Sequence, residues 1–253
     1  MKIKLLLSTA LIFIGSAIFA QDEVTDPNFT EYQDKVPGTL VFEFGYNMLQ
    51  EGTPNNMDIE FLKSRSANIY YMYDFRLFGS KKLSFNPGFG LGTDNYMFSN
   101  EVSVTPGANN TLFVISASQF ESGVNTDSST FGIEKSKLNV NYFDIPMEFR
   151  FRTKPSKKSF RFAVGGKIGF LIDAKTKIKY ELDGDNYKFK SKSRKGLENF
   201  RYGLHARIGF GSLNFFGYYA LSELFESDLN DSNGQKLEGN LSNVILGITV
   251  VTF

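Results

Sequence analysis

The 253-residue chain contains no cysteine and only one histidine, His205. Without cysteine, neither a disulfide framework nor a thiolate zinc site can form. A single histidine also argues against most enzymatic metal sites. We therefore expect no metal and no cofactor.

The chain also lacks an excess of charge of either sign and the hydropathy of a helical membrane protein. It has 28 Lys and Arg against 27 Asp and Glu, so no bulk attraction toward nucleic acid is expected. A mean hydropathy of -0.21 excludes a polytopic helical membrane protein. What the sequence has instead is 27 Phe, 12 Tyr and 23 Gly.

The first twenty residues are organised as a secretory signal peptide. Lys2 and Lys4 precede a mostly apolar stretch, 5–14, and small residues follow it up to Ala20. The apolar stretch is shorter than the roughly 20 residues that span a bilayer, which favours cleavage over a retained anchor. We expect cleavage after Ala20, with Ala17 as the alternative. No cysteine follows the leader, so no lipoprotein anchor is expected.

The remaining chain divides into a polar lead-in and a patterned domain. Residues 21–38 are polar and acidic with little periodicity, which predicts a flexible periplasmic segment. The predicted organisation is a signal peptide over 1–20, this segment over 21–38, and a β-barrel domain over 39–253.

In the domain, apolar residues recur with the period of two that indicates half-buried β-strands. In the clearest segment one face carries Phe160, Phe162, Val164, Ile168, Phe170 and Ile172. The pattern predicts eight strands, at 39–49, 65–77, 83–98, 136–152, 160–180, 199–210, 213–225 and 240–253. The last strand is apolar on both faces near its end, so its inward side stays unassigned.

The connections between these strands fall into two alternating classes. On one side they contain 5, 7 and 2 residues, and on the other 15, 37, 18 and 14. Short periplasmic turns opposite long extracellular loops are typical of outer-membrane barrels. The asymmetry and the even strand number predict an all-β fold, an eight-stranded antiparallel up-and-down transmembrane β-barrel.

A soluble eight-stranded binding barrel of the lipocalin kind is the structural alternative. It would bury its apolar face inward and expose charge to water, and periodicity alone does not say which face is outside. The loop asymmetry, the Phe-rich faces, the leader and the terminal Phe253 favour the membrane.

Several of these features resemble the PorT-like outer-membrane β-barrel proteins of Bacteroidota. They are the Phe19-Ala20 end of the leader before Gln21, the Tyr142-Phe143-Asp144-Ile145-Pro146-Met147-Glu148-Phe149 segment, the Gly-rich strands and Phe253. The resemblance covers about residues 38–253 and implies an eight-stranded barrel in the outer membrane of a Gram-negative bacterium. It implies no single activity. The founding member is associated with type IX secretion, and no segment here carries that role over.

An eight-stranded barrel is just wide enough for side chains to fill its interior, so no open diffusion pore is expected. Strand parity predicts a charged lumen. The inferred set is Glu43, Asp74, Arg76, Asp144, Glu148, Arg150, Arg152, Arg161, Lys167, Asp173, Arg201, His205 and Arg207. Because buried charge without a partner is costly, these groups should pair across the lumen, with waters at the remaining positions.

His205 allows two interpretations. A catalytic or ion-conducting role would need an acid and a nucleophile near the outer rim, within reach of substrate. His205 lies in the middle of a predicted strand instead, which favours a structural member of the charge network. Two prolines, Pro87 and Pro146, remove ladder donors and mark possible bulges or kinks.

Two predicted loops have distinctive sequences. Residues 99–135 include the β-prone run 111–116, which predicts an extra strand or hairpin above the membrane, packed on the barrel rim or open to another chain. The loop 181–198 carries Lys188, Lys190, Lys192, Arg194 and Lys195. Lipopolysaccharide phosphates are their natural counter-charges, and a merely solvated loop is the alternative.

The sequence therefore predicts a non-enzymatic integral outer-membrane protein that serves as a structural anchor or binding scaffold. A subunit of an envelope secretion or transport assembly is the second hypothesis, and an outer-membrane enzyme is the third. The expected partners are outer-membrane lipid and lipopolysaccharide, the barrel-assembly machinery during biogenesis, and envelope proteins of unknown identity. No nucleic-acid partner is expected.

Overall fold

The computed structural model describes residues 38–49, 59–98, 102–106, 112–116, 131–156, 158–182, 184–226, 230–231 and 242–252. The predicted signal peptide, the lead-in up to Pro37 and Phe253 lie outside these residues. Most of the 99–135 loop also lies outside them, as do 50–58 and 232–241.

Eight strands form one antiparallel ring. They are β1 (Gly38–Leu49), β2 (Arg65–Tyr73), β4 (Leu83–Phe98), β7 (Phe131–Arg152), β8 (Phe160–Leu182), β10 (Phe200–Phe210), β11 (Leu213–Ala220) and β13 (Asn243–Val251). Sequential neighbours pair, β13 pairs back onto β1, and β8 pairs with β10, so the sheet has no open edge along its shared length. The predicted eight-stranded barrel is confirmed.

Five shorter strands complete the described part of the chain. They are β3 (Phe75–Arg76), β5 (Val102–Pro106), β6 (Leu112–Ser116), β9 (Asp185–Lys192) and β12 (Asn230–Asp231). The strands β5, β6 and β12 form a separate small sheet, so the β-prone run 111–116 does contain a strand, in a hairpin with β5. The eight predicted strands match the observed ones to within five residues at each end.

The faces of the strands separate apolar from charged side chains. Phe44, Phe89, Phe149 and Phe215 are exposed on the outside, while charged side chains such as Glu43 are buried inside. A soluble binding barrel would have the reverse distribution, so the lipocalin-like alternative is excluded. The unassigned inward side of the last strand is Asn243, Ile245, Gly247, Thr249 and Val251.

The strands β7 and β8 are longer than the rest and continue beyond the apolar belt. Along this extension β8 pairs with β9, whereas nearer the short turns β8 pairs with β10. The extension begins at a β-bulge in β8: Tyr142 lies opposite Leu171, but Asn141 lies opposite Asp173. One extra residue reverses which side chains face inward.

The two strand prolines do not produce bulges. In the β4–β7 ladder, pairing lapses between Pro87–Met147 and Gly90–Asp144, and the register is the same on both sides of the gap. Each proline therefore costs a ladder donor without shifting the strands. Among the residues that the structure describes, no helix is long and apolar enough to cross a membrane.

Candidate functional site

Among the residues that the structure describes, the buried charged side chains lie in the barrel interior, in three layers that follow one another along the barrel axis. Every contributing strand alternates, so its charged residues occupy the positions between outward apolar ones. The layers are centred on Arg201, on His205 and on Arg150.

The layer nearest the long connections is organised around the Arg201 guanidinium. Its Nη2 and Nε donate to the two oxygens of Asp144, over 2.6 and 3.1 Å, and its Nη1 donates to Asp94 Oδ2 over 2.5 Å. The guanidinium also lies 3.8 Å from the ring centroid of Tyr142. Two carboxylates and an aromatic face thus compensate the charge of the buried Arg201 guanidinium. The two-point contact with Asp144 is the geometry in which such pairs are strongest.

Lys167 completes this layer. Its Nζ lies 4.0 Å from Asp144 Oδ2 and the same distance from the ring centroid of Tyr218, and it donates to the Tyr70 hydroxyl over 3.2 Å. Tyr70 in turn donates to Asp144 Oδ2 over 3.0 Å. The ammonium group is therefore held by one carboxylate, one hydroxyl and one aromatic ring.

Two glycines make room for this ion pair. A Cβ at Gly92 would lie 2.5 Å from Asp144 Oδ2, and a Cβ at Gly169 would lie 2.3 Å from Asp144 Oδ1. Both distances are shorter than real carbon–oxygen contacts. Gly92 and Gly169 thus have a local cause, because a larger residue at either position would displace the Asp144 carboxylate from Arg201.

The middle layer surrounds His205, which lies between two carboxylates. Its Nε2 is 3.0 Å from Glu43 Oε1, and its Nδ1 is 3.0 Å from Glu148 Oε1, in an ion-pair contact without ideal hydrogen-bond direction. Asn68 donates to Glu43 over 3.2 Å, and Arg207 donates to Glu148. A carboxylate oxygen 3.0 Å from each ring nitrogen is an environment that would stabilise an imidazolium, the form in which both nitrogens carry a proton.

The third layer, nearest the short turns, is rich in arginine. Arg150, Arg161 and Arg207 line a cavity of about 10 Å³, and Arg150 Nη2 lies 3.7 Å from Glu148. A space of this size holds about one water molecule, and a polar site of this kind suits one. Near the turns, half-buried Arg152 donates to Asp74.

An apolar cluster covers the opposite end of the lumen. The connection before β10 and the one after β11 meet there, where Leu197 and Phe225 form an isolated β-bridge. Both side chains are buried. The cluster consists of Tyr96, Phe98, Leu138, Val140, Tyr142, Leu171, Ala174, Leu197, Leu224 and Phe225.

Two of the predicted lumen residues lie elsewhere. Arg76 is exposed on β3, beside the short turn. Asp173 lies just past the β8 bulge, which turns it away from the lumen, and it pairs with Lys175 over 2.8 Å and Lys192 over 3.4 Å. The other predicted side chains lie inside the barrel, and Asp74 and Arg152 among them are only half-buried.

Sequence reasoning missed several interior groups. Asp94 is fully buried against Arg201, although it shares its strand face with Ser84 and Asn86 and could have been found from that parity. The tyrosines were also left out. Tyr70, Tyr142 and Tyr218 point inward, where they contact Arg201 and Lys167. Tyr70 and Tyr142 have the strand parity of the charged residues Asp74 and Asp144, so the same alternation could have placed them inside.

The chemistry available to this interior is limited. His205 is 3% exposed, and a carboxylate oxygen lies 3.0 Å from each of its ring nitrogens, so neither nitrogen is open to a substrate outside the barrel. Within the described ranges, no three His, Asp or Glu side chains are placed to hold a metal ion.

Comparison with known proteins gives one strong match. Residues 20–226 match the family model described as outer membrane protein beta-barrel domain. No curated protein matches the sequence.

Two solved structures are similar at low identity. The attachment invasion locus protein Ail of Yersinia pestis, in complex with the heparin analogue sucrose octasulfate, is 11% identical over 85% of this chain and 97% of Ail, with a TM-score of 0.34. A major outer membrane protein from Thermus thermophilus is 10% identical over 85% of this chain and 99% of its own, with a TM-score of 0.36. These values are too low to indicate a ligand or a role.

Proposed function

Because this chain belongs to the outer membrane protein beta-barrel domain family, we propose that it is a non-conducting, non-enzymatic barrel that anchors surface segments in the outer membrane. Those segments would give structural support or bind a partner. The outer-membrane location follows from the family, and the barrel follows from the fold. What is proposed is the role of that barrel.

The observation that carries the proposal is the filling of the lumen. Arg201 and His205 reach carboxylates on non-adjacent strands, and Lys167 contacts Asp144 on the neighbouring strand and the Tyr70 hydroxyl across the lumen. The apolar cluster with Leu197 and Phe225 covers the end with the long connections. A hydrated ion crossing this path would have to separate buried ion pairs. Breaking such a pair by removing one partner costs about 3–5 kcal/mol, so a steady current is disfavoured.

Planar-bilayer recording tests the non-conducting role. The refolded chain should add no large steady conductance to the bilayer. A heat-modifiability gel and protease protection of the same preparation should show in parallel that the barrel is folded and inserted. Large, stable channels from protein that passes both controls would contradict the proposal.

The non-enzymatic role is supported by the burial of His205 between the carboxylates of Glu43 and Glu148. Replacing it in His205→Ala should leave lipid composition and envelope protease activity of the producing cells unchanged. A loss of lipid modification or proteolysis in that variant, with normal amounts of folded barrel, would favour an enzyme instead.

Export, membrane insertion and the narrower family are further parts of the proposal. We infer that residues 1–20 direct export and are removed, that the barrel-assembly machinery inserts the chain, and that the protein is a PorT-like member from Bacteroidota. N-terminal sequencing of the outer-membrane form should begin at Gln21, and a chain that retains Met1 would contradict cleavage.

A subunit of an envelope secretion or transport assembly is the alternative role. It is supported by the resemblance to PorT-like proteins and by the length of the acidic lead-in, residues 21–38. Mild crosslinking followed by affinity purification separates the two roles. Envelope proteins recovered in stoichiometric amounts would favour the assembly, and recovery of the barrel alone would favour a stand-alone anchor.

A further inference from the structure

The extension of β7, β8 and β9 carries an ordered array of lysines on one face. Cross-strand register places these side chains in three rows, and within each row the lysines of neighbouring strands lie directly opposite one another. The rows are Lys175 and Lys192, then Lys137, Lys177 and Lys190, then Lys135, Lys179 and Lys188. We refer to these eight residues as the lysine array.

Most of these cations face one another rather than carboxylates. Glu134 and Asp173 lie at the edges and pair with Lys179, Lys175 and Lys192. In the part of the chain that the structure describes, the middle row, Lys137, Lys177 and Lys190, pairs with no carboxylate.

Directly opposite like charges destabilise a sheet. Lys137, which lies beyond the membrane-spanning part of β7, shows the effect: partial burial and the charges of Lys135, Lys177 and Arg65 lower its pKa. The extension therefore stores repulsion that an external anion would relieve.

The array faces outward, on the same side as the lipid-facing belt. The last outward apolar row there is Leu91, Phe143 and Phe170, and a polar row with Thr93 and Asn141 follows it. Each further row rises by about 5 Å along the barrel axis for a strand tilt of about 40°. The three lysine rows thus begin about 10 Å above the Phe143 row, beside the polar layer of a leaflet.

We propose that the lysine array is a binding site for phosphate groups on the headgroups of outer-leaflet lipids. The inference rests on the proposed function in one respect, that the belt is embedded in the outer membrane. A lipid headgroup fits better than a soluble anion because the array continues the lipid-facing surface of the same strands. The flexible lysine side chains would carry their ammonium groups to the phosphates.

The test uses the full mature chain in vesicles of neutral phosphatidylcholine, with and without a bisphosphorylated glycolipid. The variant K137Q/K177Q/K190Q removes the middle row, and K81Q/K82Q/K154Q removes three lysines at the opposite end of the barrel as a matched control. Retention of the glycolipid by the purified barrel should weaken about 100-fold in the first variant, because each lysine near an anionic surface contributes about fivefold. The control variant should retain it as the wild type does.

A stability measurement gives a second readout with opposite signs. In neutral detergent the triple variant should be at least as stable as the wild type, because the cross-strand repulsion is gone. With the glycolipid present the wild type should gain stability and the variant should not. A variant that is less stable in neutral detergent would show that the lysines serve the sheet itself, and would overturn the proposal.

A third arm distinguishes lipid from soluble anions. Inositol hexakisphosphate, a soluble polyphosphate, should bind the array in detergent more weakly than the glycolipid does in vesicles. Equal retention of phosphorylated and dephosphorylated glycolipid by the wild type, or tighter binding of the soluble anion, would refute the lipid site. Heat-modifiability and conductance of the same samples report on the proposed function separately, since a non-conducting folded barrel without lipid preference would refute only the site.

Discussion

The barrel interior and the lysine array solve the same electrostatic problem in opposite ways. Inside, Arg201 and His205 each lie between two carboxylates, and tyrosine rings and hydroxyls supply the remaining contacts. On the extension, Lys137 lies beside Lys177 on a half-exposed face. The layers around Arg201 and His205 have their counter-charges within the chain, whereas the middle row of the array has none among the described residues.

The difference reflects the solvent available to each region. A charge inside the narrow lumen has little water around it, so the chain itself must supply the counter-charge. A lysine above the belt keeps its hydration and is screened by salt, so repulsion there is tolerable. Internal pairing is what the proposed structural role of the interior requires, and the middle row of lysines without carboxylates is what the proposed anion site requires.

The largest expected effect comes from breaking an interior ion pair. Asp144→Ala would leave Lys167 without its nearest carboxylate and Arg201 with only Asp94, and should lower the free energy of unfolding by about 3–5 kcal/mol. Urea unfolding in vesicles, followed by the fraction of heat-modifiable barrel, measures this loss. The matched control is Asp74→Ala, whose half-buried pair with Arg152 should contribute about 1 kcal/mol. Equal losses at the two sites would contradict the contrast between a dry interior and a wet rim.

A smaller effect is expected for the coupling inside the middle layer. His205→Gln and Glu43→Gln, made singly and together, should show a coupling free energy of about 0.5–3 kcal/mol, because each removes the other's charged partner. The same cycle between His205→Gln and Lys82→Gln, at a distant exposed lysine, should be additive to within about 0.5 kcal/mol. Additivity in the first cycle would show that His205 is not held as a cation by Glu43.

The smallest predicted effect is a pH dependence outside the membrane. Burial, with the negative charges of Glu226 and Glu223, raises the pKa of Glu198, which precedes β10. Since the folded-state pKa is the higher one, this carboxyl favours the folded state below its ordinary value of 4.5, and the contribution is lost as the pH rises through the raised pKa.

Glu198→Gln should therefore gain a little stability relative to the wild type between about pH 4 and about pH 7. Urea unfolding of both proteins at the two pH values checks the direction. A stability difference that stays constant or reverses over this interval would contradict the assigned environment of Glu198.

Much of the fold could be predicted because its determinants are local. Period-two alternation and short turns locate the strands, and the same parity brings Glu43, Asp144 and His205 to one face. The sequence does not show where the alternation of inward and outward residues reverses along a strand. The bulge at Ile172 has no proline or glycine to mark it, so Asp173 was predicted inside although the strand had already reversed its faces.

Only part of the lysine array could be predicted from the sequence, for the same reason. The lysines of β9 stand out in the sequence, but their partners on β7 and β8 come onto the same face only through pairing and the bulge. The apolar cluster over the lumen was also hidden, because Leu197 is a lone apolar residue in a polar connection and Phe225 was predicted as the end of a strand. Such contacts depend on long-range closure, which no local pattern encodes.

The orientation of the two strand faces is the central claim, and the chain offers a direct way to measure it, since it contains no tryptophan. Phe149→Trp places a single fluorophore on the outer face, where Phe149 is 53% exposed, and Phe216→Trp places one inside, where Phe216 is 4% exposed. In vesicles with brominated acyl chains, the fluorescence of the Phe149→Trp barrel should be strongly quenched and that of the Phe216→Trp barrel should be nearly unchanged, relative to the same barrels in unbrominated lipid. Quenching at position 216 but not at 149 would contradict a barrel with phenylalanine toward lipid and charge toward the lumen.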